Sequence, residues 1–132
     1  MFVYTVHVDT HGPLFDGTAP GIVRDGIHHG VLAVGEYAAD WVRDHYDAHH
    51  KHPSTPPYAR SRIRIIDQFP RIRIGDGGII YGPWLEGVGS RNKTTRFKGY
   101  AHYRQTAARV RASGGKIFQS VFTRYVRKIG GR

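Results

Sequence analysis

Arg60-Ser61-Arg62-Ile63-Arg64-Ile65, and a little further on Arg71-Ile72-Arg73-Ile74-Gly75-Asp76-Gly77-Gly78-Ile79-Ile80-Tyr81, decide how this chain reads. Isoleucine alternates with arginine at period two, which marks strands with one apolar face and one arginine face. The Gly-Asp-Gly-Gly run is a hairpin turn signal. It predicts a third strand at Ile79-Ile80-Tyr81, ended by Gly82-Pro83. Upstream, Phe2, Tyr4, Val6 and Val8 alternate with Val3, Thr5, His7 and Asp9, so a further strand is predicted over about residues 2–9.

Helical periodicity flanks these strands. Ile27, Val31, Val34, Ala38, Trp41, Val42 and Tyr46 recur at three- and four-residue spacing, predicting a helix from about Pro20 to Asp47 with Thr18 as its N-cap. Gly26, Gly30 and Val34 repeat every four residues, a pattern that lets a second element approach closely. Residues 48–57 carry three prolines and read as a loop. From about Gly99 to Lys128 the pattern is helical again, with Tyr103, Ala107, Val110, Ile117, Val121, Tyr125 and Ile129 as the expected buried stripe. A kink or break is expected at Ser113-Gly114-Gly115. The order predicts an α+β fold in one domain, residues 1–132: an antiparallel β-meander sheet packed on one face by a long N-terminal helix and a long basic C-terminal helix.

Composition narrows the function. The chain has 132 residues and no cysteine, which excludes disulfide scaffolds and thiolate metal or redox sites. No signal peptide or membrane span is expected. The net charge of +10 is segregated. Residues 1–52 hold three Lys/Arg against seven Asp/Glu, and residues 91–132 hold twelve against none. An acid-free C-terminal third points to a polyanion or to an acidic protein surface, the N-terminal part of a neighbouring copy among them. The bland alternative is a solvated basic face.

No catalytic constellation stands out. His45 and His49 have the i, i+4 spacing of a chelating pair, with His50 and His52 nearby, but no third ligand is apparent and no metal or other cofactor is expected. There is no nucleophile elbow, and Gly75–Gly78 joins two strands where a phosphate loop would join strand to helix. Enzymatic activity is not expected. Nucleic-acid binding is the competing class. Arg62, Arg64, Arg71 and Arg73 are the candidates for phosphate contact, and Tyr81, Trp84, Phe97, Tyr100 and Tyr103, interleaved with Arg96, Lys98 and Arg104, could stack bases. Glu86 is the last acid of the chain. It reads as the ion-pair partner of an arginine, within the chain or across a subunit boundary.

The stretch Tyr81-Gly82-Pro83-Trp84-Leu85-Glu86-Gly87, with Arg96-Phe97 and a following helix, resembles the neck and tail-completion proteins (head-tail connectors) of long-tailed bacteriophages. In that family a strand ends in Tyr-(Ala/Gly)-x-x-(Leu/Val)-Glu-x-Gly, and a loop leads through an aromatic residue to a C-terminal helix. The likeness is specific over roughly residues 58–112. Arg96-Phe97 stands where the family usually has Pro-Phe, and the basic stretch from Ser113 to Arg132 is an extension. The resemblance implies a non-enzymatic virion protein, assembled in the host cytoplasm. It would form a homo-oligomeric ring, usually of six copies, in a tail-completion or tail-terminator role. Its partners would be other copies, a head-closure or connector protein and a tail-tube protein, with DNA in the lumen. Subunit-interface candidates are then Tyr81, Trp84, Leu85, Glu86, Arg96 and Phe97. Lumen-facing candidates are Arg62, Arg64, Arg71 and Arg73.

Overall fold

The central strand of the sheet is Arg71–Gly75, and its two edges are both taken. In the computed structural model, which describes residues 3–7, 20–49 and 62–129, β1 (Val3–His7) and β2 (Arg64–Gln68) pair antiparallel with β3 (Arg71–Gly75) in the order β1-β3-β2. Phe69-Pro70, joined by a cis peptide bond, makes the turn between β2 and β3. Val6 stands opposite Ile72 and Ile65 opposite Ile74, whereas Thr5 and Ile66 both face Arg73. Cross-strand partners share a face. Ile72 and Ile74 are therefore buried on one side, with Arg71 and Arg73 on the other.

The fold class is α+β with an antiparallel sheet, as the sequence implies. Two details differ. Arg64 pairs with Gly75, the last residue of β3, and β2 starts there; the described residues just before it, Arg62 and Ile63, lie outside the strand. Ile79-Ile80-Tyr81 is not a third strand. With β1 and β2 on either side of β3, no free edge remains for it. Asp76 also turns the chain away: its buried carboxylate accepts hydrogen bonds from the backbone N–H of Gly78 (2.9 Å) and Ile79 (3.3 Å).

Helix α1 (Pro20–His49) covers the isoleucine face of the sheet. Val23, Ile27, Val31, Val34, Ala38, Val42 and Tyr46 are buried along it, while Trp41 is only half-buried. A β-carbon on Gly35 would lie 2.6 Å from Ile72 Cγ2, so the helix backbone sits directly on β3. Ahead of β2, the Arg43 guanidinium donates to the Ile63 carbonyl (2.7 Å) and ties the incoming chain to α1.

Helix α4 (His102–Ile129) runs antiparallel along α1. The glycine repeat does what its spacing suggests. A β-carbon on Gly26 would meet Tyr125 Cβ at 2.7 Å, and one on Gly30 would meet Phe118 Cδ2 at 2.6 Å. The aromatic rings of α4 thus sit in notches in α1. The expected break at Ser113-Gly114-Gly115 does not occur. Gly114 is buried, and a β-carbon on it would lie 3.2 Å from Val110 Cγ1 and 3.4 Å from Val34 Cγ1, so it is a packing glycine inside a continuous helix. The buried stripe is also shifted. Phe118 and Phe122 pack into the core, and Ile129 is exposed. The proposed Thr18 cap, Arg60 and the proline-rich residues 50–57 lie outside the described residues; Ala48 and His49 belong to α1. Among the described residues no helix is long and apolar enough to cross a membrane.

Candidate functional site

Residues 76–104, between β3 and α4, form a polar-stapled knot. Two short helices occupy it, α2 (Gly82–Glu86) and α3 (Ser90–Thr94). Pro83 lies in the first turn of α2, where its missing N–H is harmless, and Gly87 ends the helix in the left-handed region at φ 98°. The backbone N–H groups of Gly87, Val88 and Gly89 all converge on the Pro83 carbonyl (3.0–3.1 Å). Gly99, also at positive φ, crosses Gly87 so closely that a β-carbon on either would run into the other strand's backbone.

Glu86 holds the knot to the long helix. It is 2 % exposed, and its carboxylate accepts from the backbone N–H of Tyr103 (3.0 Å) and Arg104 (3.1 Å), the unpaired donors of the first turn of α4. Arg104 Nε adds an ion pair at 3.2 Å, and its Nη2 donates to the Glu86 carbonyl at 2.9 Å. Glu86 is thus the expected arginine partner, and the arginine belongs to the same chain. It is also a helix cap, a role the sequence does not announce because the helix starts sixteen residues later.

Asn92 is the second staple. It is 4 % exposed; its Oδ1 accepts from Gly89 N–H (2.9 Å) and its Nδ2 donates to the carbonyls of Trp84 (3.0 Å) and Phe97 (3.1 Å). Every hydrogen-bonding direction leads to the backbone, so the residue fixes the loop's path. The Tyr100 N–H reaches the Leu85 carbonyl at 2.7 Å.

These staples bring four of the six interface candidates together. Leu85 and Glu86 are buried, and Trp84 packs on Phe97 with ring centres 4.5 Å apart. Arg96 is exposed nearby, and Tyr81 is 47 % exposed. The knot also presents two apolar residues that sequence reading passed over. Ile80 is 95 % exposed and Val88 is 49 % exposed. Of the lumen candidates, Arg64, Arg71 and Arg73 share the sheet face opposite α1, Arg73 half-buried; Arg62 is exposed ahead of β2.

Behind the knot the structure gathers histidines. His102, the first residue of α4, is 3 % exposed, with its ring stacked 5.0 Å from Tyr100 and edge-on to Tyr46 (5.0 Å) and His45 (5.1 Å). Neither ring nitrogen has a hydrogen-bond partner among the described residues. Burial, reinforced by His45 and His49, pushes its pKa down to about 3. Burial also lowers His45, with His49 adding to it. Tyr46 is raised to about 12, first by burial and then by Tyr100, Tyr81 and Asp47. His102 lies beside the His45/His49 pair, yet among the described residues no group of three or more such side chains is disposed to hold a metal ion. His49 Nδ1 is already engaged with the His45 carbonyl (2.8 Å).

Compared with protein-family models, curated proteins and solved structures, the chain matches none.

Proposed function

We propose that this chain is a structural virion protein that forms a ring in the phage neck and joins the tail tube to the head-closure ring. In this role it completes or terminates the tail, and DNA passes through its lumen. The observation that carries the reading is the knot. Polar groups spent wholly inside it, Glu86, Asn92 and Asp76, hold Ile80, Tyr81 and Val88 outward on a rigid turn. Exposed apolar side chains on a pre-organised loop suit docking, because little ordering cost remains to be met on binding. Leu85 and Glu86 then act by shaping the docking turn, and Tyr81, Trp84, Arg96 and Phe97 lie at or beside the contact. Native mass spectrometry and cryo-electron microscopy test the assembly. A closed ring supports the reading. A chain that stays monomeric at high concentration, even with head-closure and tail-tube proteins supplied, refutes it.

The exposed arginines of the sheet face favour a second reading, a small nucleic-acid-binding module. It requires affinity for short duplex DNA that falls steeply with salt and disappears when Arg62, Arg64, Arg71 and Arg73 are neutralised.

A further inference from the structure

The two long helices carry opposite charge on their solvent faces. Helix α4 is basic along its whole length, with Arg104, Arg109 and Arg111 exposed in its first half and Arg109 over the Trp41 ring, whereas the acids of α1 gather in its second half. Glu36, Asp40 and Asp44 follow one another at four-residue spacing along the C-terminal half of α1, all exposed. Lys116, Arg124 and Arg127 line the C-terminal half of α4 together with Gln119, Ser120 and Thr123, around a shallow depression of about 420 Å³. Because the helices are antiparallel, the acidic stripe lies at the end where Tyr46 meets His102. The basic stripe lies at the end where Tyr125 and Phe118 fill the notches of Gly26 and Gly30.

One chain cannot join its own two stripes. Glu36 and Asp44 make no ion pair, nor do Lys116, Arg124 and Arg127, among the described residues; Asp40 binds only its neighbour Arg43 at 3.0 Å. Each stripe covers two to three helical turns, about 12–17 Å at 1.5 Å per residue, so the two are similar in length. A surface with an acidic patch at one end and a basic patch at the other complements a second copy of itself, either as a two-fold pair that stops at a dimer or head to tail, the arrangement that the ring reading requires. That contact is heterologous and closes into a ring when the rotation permits. Duplex DNA could follow the basic face of α4, but it would leave the acidic stripe of α1 without a partner, whereas a second copy engages both.

Resting on the ring reading above, we infer that the acidic stripe Glu36–Asp44 of one copy docks on the basic stripe Lys116–Arg127 of the next. Two charge-reversed chains test this: Glu36→Lys/Asp40→Lys/Asp44→Lys, and Lys116→Glu/Arg124→Glu/Arg127→Glu. In each, both stripes have the same sign, so each alone is expected to assemble at least ~100-fold more weakly than wild type. Mixed in equal amounts, the two regain complementary pairs and are expected to co-assemble, with both chains alternating in the ring. Native mass spectrometry at low and high salt reads each case, and circular dichroism checks that every chain is folded. If wild type assembles and the reversed chains do so equally well, or the mixture fails to recover, the stripe contact is wrong while the ring stands. If wild type itself never assembles, both fall. If the only loss is that Lys116→Glu/Arg124→Glu/Arg127→Glu no longer binds a duplex DNA probe, the basic stripe serves phosphates and the inference is overturned.

Discussion

The helix pair and the knot hold themselves together by different physics. Helices α1 and α4 meet through apolar side chains and glycine notches, with a contact that repeats every turn. The knot at residues 76–104 has a few polar side chains whose partners are backbone atoms. The first contact is distributed, so losing one group weakens it by a little. The second is concentrated, so losing one group strands several buried donors or acceptors at once.

The sharpest way to break that contrast is at Glu86. Glu86→Ala leaves two first-turn N–H groups of α4 uncapped and Arg104 without its buried partner. We expect a loss of about 3–4 kcal/mol, mostly from the two stranded N–H groups because Arg104 is more than half exposed, read from the urea midpoint, with hydrogen exchange accelerating first at residues 102–106. A loss below ~1 kcal/mol would mean that the knot is not concentrated as described.

The next test is acid. His102 has a folded pKa near 3 against an ordinary 6.5. The unfolded chain therefore binds more protons between those values, and stability rises with pH there. Stability is complete above about pH 6.5 and is lost as pH falls toward 3, by on the order of 3 kcal/mol at pH 4. His102→Phe should flatten this part of the urea-midpoint profile. An unchanged profile would assign the acid sensitivity to other groups.

The smallest effects come from the helix pair. Gly30→Ala pushes a methyl group into Phe118 and should destabilise by about 1–3 kcal/mol despite its better helix propensity. Gly115→Ala meets nothing within 4 Å and should stabilise by up to about 1 kcal/mol. Thermal melts of both variants separate packing from propensity. Equal shifts would remove the notch as an explanation.

Legibility in the sequence follows the same division. Periodic contacts write themselves into the chain, so α1, the alternation in β3 and the Gly26/Gly30 repeat were readable. Strand partnering was not, because a hairpin turn signal followed by the apolar run Ile79-Ile80-Tyr81 looks the same whether or not β3 has a free edge. The meaning of Ser113-Gly114-Gly115 depends on what lies opposite, Val34, which local propensity does not contain. At the site, charge imbalance singled out Glu86, but nothing local marks Asn92 or His102, whose partners are fixed only when the loop closes. Asp76 was readable in principle, since Asp before two glycines is a turn that hydrogen-bonds to itself.

Helix α4 is 28 residues, about 42 Å, and is anchored near both ends, by the Glu86 cap at one and the Gly26/Gly30 notches at the other. With one anchor it would be a swing arm, and a tilt of about 5° would carry Arg127 by about 4 Å, the span over which an ion pair is made or lost. With two it is a beam. The glycine notches therefore set the aim of the basic stripe, and filling one would misdirect charges that lie on the opposite side of the helix.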